Sequence, residues 1–183
     1  MTEFWETVRE LERFWAWIVA AASLPFLASL IEITPPWPPA ITVLTSIIAI
    51  VAVVLAYHFA RTMKNRSVSV IVVITIVVLF IFSATYLGML SQFSAKISDG
   101  SRVVTGFVCT PYAQQIYPDR CPWLTESELK LAEWTPSLLW TSLSITASRM
   151  ALVIFWLGSF LLLSFFLGLF IVVQRRRRPA STR

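Results

Sequence analysis

The amino-acid sequence predicts an all-α integral membrane protein. The expected architecture is a four-transmembrane-helix bundle with an N-terminal amphipathic helix and a small disulfide-stapled extracytoplasmic cap between helices 3 and 4. Three observations carry this. Hydrophobic residues make up 57% of the 183 residues and charged residues only 14%, against about 25% charged in an average soluble domain. The apolar residues fall into long blocks rather than a 2- or 3.6-residue alternation, more than one soluble core of this size can absorb. The only two cysteines, Cys109 and Cys121, lie in the single long polar segment between such blocks. The mean hydropathy is +0.73.

Residues 1–13 read as an amphipathic helix on the cytoplasmic face. Phe4, Val8, Leu11, Trp15 and Ile18 form one apolar stripe, with Glu3, Glu6, Arg9, Glu10 and Arg13 on the other side. The acidic start and the lack of a small-residue cleavage site argue against a removable signal peptide. The first span is expected at residues 14–33. It contains Pro25, which removes a backbone hydrogen bond and is a candidate kink or hinge. Residues 34–39, "TPPWPP", make a stiff outer turn with Trp37 at headgroup level.

The second span, residues 40–60, carries Thr45, Ala49, Ala52, Ala56 and Ala60 at intervals of four and three, a small-residue face for close helix packing. Residues 61–67 form a basic loop with Arg61, Lys64 and Arg66. In the third span, residues 68–91, Ala84, Gly88 and Ser91 continue to Ala95 as a second small-residue face. The fourth span, residues 148–173, has Ser164 and Gly168 among phenylalanines. A basic tail follows at residues 174–183, with the run Arg175–Arg178. Lysine and arginine in the short loops place both termini in the cytoplasm of the cell membrane and residues 92–147 outside. The sequon Asn65-Arg66-Ser67 then lies inside, so its glycosylation would contradict this topology. His58, near the basic loop, is expected at the membrane interface.

The cap carries local signals. Thr125 and Glu128 form a capping box for a helix over 126–134. Thr135 and Pro136 start another helix, which no proline or glycine interrupts until Gly158, so one continuous helix into the fourth span is expected. Ser137, Thr141, Ser144 and Ser148 form a polar stripe on its outer part. Trp37, Trp123, Trp134 and Trp140 are candidate interface residues toward lipid or another protein. Outside the cell Cys109 and Cys121 are expected to be oxidised. A bridge across a loop of this size contributes about 3 kcal/mol.

The layout of four spans, inner termini and a cysteine pair in the second outer loop is similar to that of the DsbB family of quinone-linked disulfide-generating enzymes. That family also needs a Cys-x-x-Cys pair in the first outer loop. "TPPWPP" has none, and vitamin-K-type quinone reductases need a Cys-x-x-Cys as well. The sequence therefore predicts no thiol relay and no enzyme. It shows no phosphate loop, no His-rich metal set and no nucleic-acid module. Membrane lipids and other membrane subunits, or copies of itself, are the expected partners; nucleic acid is not. No cofactor is expected, although quinone, pigment or lipid fits beside the Phe-rich fourth helix. The functional expectation is a non-catalytic accessory or scaffold subunit of a larger membrane complex. The alternative is a homo-oligomeric channel or pore-forming effector.

Overall fold

The computed structural model describes residues 16, 18–97 and 102–177. The structure is 74% helical. Seven helices and a two-stranded hairpin follow in order among the described residues. They are α1 (Ile18–Leu30), α2 (Ile41–Thr62), α3 (Asn65–Phe93), β1 (Ser94–Lys96), β2 (Arg102–Val104), α4 (Pro111–Ile116), α5 (Glu126–Leu131), α6 (Pro136–Leu139) and α7 (Ser142–Arg177). Three helices, α2, α3 and α7, are long and apolar enough to cross a membrane. The described part of the expected first span, α1, is shorter. The expected amphipathic helix of residues 1–13 lies outside the described residues.

The chain divides into two compact units. One holds α1, α2, the first part of α3 and the last part of α7; the other holds residues 35–39 and 83–156. In the first unit, α2 buries Thr45, Ala49, Ala52, Ala56 and Ala60. That is the small-residue face read from the sequence, and the larger Val43, Ile47, Val51 and Leu55 point outward. Small side chains let backbones approach, and this matters where lipid provides no hydrophobic drive between helices. The approach is closest at Gly168 of α7. A Cβ there would stand 2.6 Å from the Cβ of Ala56 and 2.8 Å from the carbonyl oxygen of Val53, so no larger residue fits without a shift.

Two apolar clusters fill this unit. Ile18, Ala21 and Val53 pack with Leu167 and Ile171. Ala60, Val68, Leu169 and Val172 pack with Tyr57, Ile71 and Phe165. Pro25 is fully buried within α1, and the helix continues through it. Its missing N–H leaves the carbonyl four residues back without its usual donor. One residue further on, the carbonyl of Ala22 accepts a hydrogen bond from the Ser46 hydroxyl of α2, at 2.8 Å. Glu32 ends α1 in the left-handed region, φ 55°, while the Ile33 N–H returns to the Ala28 carbonyl at 3.3 Å, a six-to-one closure.

The second unit differs from the sequence reading in three ways. Residues 94–104 contain an antiparallel hairpin, with Ala95 opposite Val103, so Ala95 lies on a strand rather than on the helical face expected of it. The helix expected over 126–134 ends at Leu131. Glu133 and Trp134 are left-handed (φ 53° and 57°), and the Trp134 N–H closes onto the Leu129 carbonyl at 3.0 Å. The single helix expected from Pro136 is broken after Leu139. Trp140 is extended there (φ −121°, ψ 152°) and pairs with Cys109 in an isolated antiparallel bridge. The break comes from tertiary bonding: Thr110 N–H binds the Leu139 carbonyl at 3.0 Å and Thr141 N–H binds the Val108 carbonyl at 2.9 Å.

Candidate functional site

The disulfide-stapled segment of the second unit gathers most of the singled-out side chains. Cys109 and Cys121 are bonded, with Cα atoms 6.2 Å apart, inside the usual range for such bridges. The bridge closes a loop containing α4. Thr110 caps this helix, its hydroxyl accepting the Ala113 N–H at 3.2 Å and donating to the Leu138 carbonyl at 2.8 Å. Pro111 occupies the first helical position, where a missing N–H costs nothing. Cys109, Ala113, Leu129, Leu139, Trp140 and Ile145 form one buried cluster of this unit.

Trp140 was expected at a surface, and the structure corrects this: it is 1% exposed. Its indole N–H donates to the Pro122 carbonyl at 3.1 Å, tying the second cysteine's neighbour to the start of α7. Gly106 permits this packing, since a Cβ there would lie 2.7 Å from the Cβ of Trp140. Trp134 is half-buried against the same core. Trp37 and Trp123 are exposed, and Trp123 tilts against Phe93 with centroids 6.2 Å apart. Ala84, Gly88 and Ser91 are exposed on α3, while Ser164 is buried on α7.

Beside this core stands one polar cluster. Glu128 is 3% exposed. Its Oε2 accepts the Thr125 N–H at 2.6 Å and also the Thr125 hydroxyl, while Oε1 accepts from Arg120 Nη1 at 2.6 Å. The capping box read from the sequence is present. The Thr125 hydroxyl, with help from Arg120, holds the carboxyl down at about 2 from its ordinary 4.5, against the opposing effect of burial. Every oxygen of this carboxylate is engaged in fixing α5 and the loop before it, so its chemistry is that of a brace.

Of the polar stripe expected on the helix into the fourth span, Ser144 and Ser148 are buried, Thr141 is half-buried and Ser137 is exposed. Ser144 is buried and donates to the Thr141 carbonyl at 2.9 Å, with the Val108 carbonyl 3.3 Å from the same hydroxyl. Ser148 is buried too, and its hydroxyl, Arg102 Nε and Arg149 Nε are without hydrogen-bond partners. Such buried unmet donors cost about 1–3 kcal/mol each. His58 is exposed and packs edge-on against Phe59 at 5.8 Å. Among the described residues no group of three or more His, Cys, Asp or Glu side chains is placed to hold a metal ion.

Sequence reasoning missed one positioned cation. Arg176, read only as part of a basic tail, directs Nη2 to the carbonyls of Ala60 (2.9 Å), Arg61 (3.1 Å) and Met63 (2.8 Å). It caps the carboxyl end of α2, where carbonyls lack intrahelical donors and the helix dipole favours a cation. The available signal was an arginine just past an apolar span whose neighbour ends at the same interface. Comparison of the chain with protein-family models, curated proteins and solved structures gives no match.

Proposed function

We propose that the chain is a non-catalytic polytopic membrane protein serving as an accessory or scaffold subunit of a larger membrane complex. In this reading it crosses the cell membrane four times, with both termini cytoplasmic and residues 92–147 forming the outer cap. The observation that carries the reading is the set of large apolar side chains exposed on the stapled segment between α3 and α7. Tyr112 is 60% exposed, Trp123 57% and Leu131 77%, with Phe107 and Leu138 nearly half-exposed. None of these belongs to a helix long enough to span. Covering them gains about 25 cal/mol per Å² of apolar area, and aromatic anchors on a rigid frame are the usual centres of interfaces. A second support is α3, of whose apolar window only 11% is buried within the chain. Its remaining surface faces lipid or another subunit.

A pore lined by the serine stripe gains less support, because Ser144 and Ser148 are buried within the chain itself. Purification from native membranes in mild detergent tests the proposal. A scaffold subunit co-purifies with other proteins in fixed ratio, and Trp123→Ala weakens that association without unfolding the chain. A lone colourless monomer would remove the proposal, and a closed homo-oligomer would favour a pore.

A further inference from the structure

We draw no further inference here: the strongest candidate, the exposed apolar surface patch of Leu143, Met150 and Ile154 along the first part of α7, carries none because nothing in the structure shows what covers it.

Discussion

Breaking the Cys109–Cys121 bridge should loosen the stapled segment without releasing the membrane helices. The bond joins residues separated by 12 in sequence. Loop-closure entropy for that length corresponds to about 3 kcal/mol, or roughly two orders of magnitude in an opening equilibrium. The structure says where the loss should be read. Thr110 N–H is bonded to Leu139 and Thr141 N–H to Val108, so both amides stitch the bridged loop to the start of α7. Hydrogen exchange of the protein in detergent, with and without complete reduction, should show protection at these amides falling about a hundredfold. Amides in the middle of α2, such as Ala52, should be unaffected. The Cys109→Ala/Cys121→Ala variant should match the reduced protein, apart from a small packing loss at Cys109, which is 5% exposed. Unchanged protection at Thr110 and Thr141 after verified reduction would refute the staple.

Three further outcomes are expected. Trp140→Ala should destabilise the second unit by about 3–5 kcal/mol, read as loss of near-ultraviolet circular dichroism, whereas Trp123→Ala should change stability by less than about 0.5 kcal/mol. Glu128 adds stability that is fully present above its ordinary value of 4.5 and is lost as pH falls toward about 2; with Arg120 67% exposed and screened, the loss should be about 1–2 kcal/mol, and Glu128→Gln should remove this acid dependence in a tryptophan-fluorescence titration. Gly168→Ala should lower the thermal midpoint in detergent, at a cost of about 1–3 kcal/mol, because of its closeness to Ala56 and Val53, while Gly88→Ala, with nothing within 4 Å, should be neutral.

Features set by local pattern were legible in the sequence. The buried face of α2 follows from the spacing of Thr45, Ala49, Ala52, Ala56 and Ala60. The Thr125–Glu128 cap follows from a four-residue motif, and the disulfide from two cysteines in one polar segment. What was not legible depends on partners distant in the chain. Nothing local to Trp140 marks a helix break. The break arises because Val108, Cys109 and Thr110 claim the backbone of residues 139–141. The same packing turns Trp140 from a candidate surface anchor into core. Ala95 has helical spacing from Gly88 and Ser91, yet strand pairing with Val103 takes it elsewhere. Arg176 looked like one of four equivalent arginines, and only the placement of α2 beside α7 singles it out.

The proposal that the stapled segment docks another protein is tested most directly by a photo-crosslinking amino acid at position 123 in native membranes. A discrete adduct with one other membrane protein is expected, absent when the same membranes are not irradiated. No adduct at 123, or an adduct only with a second copy of the chain, would contradict a scaffold function.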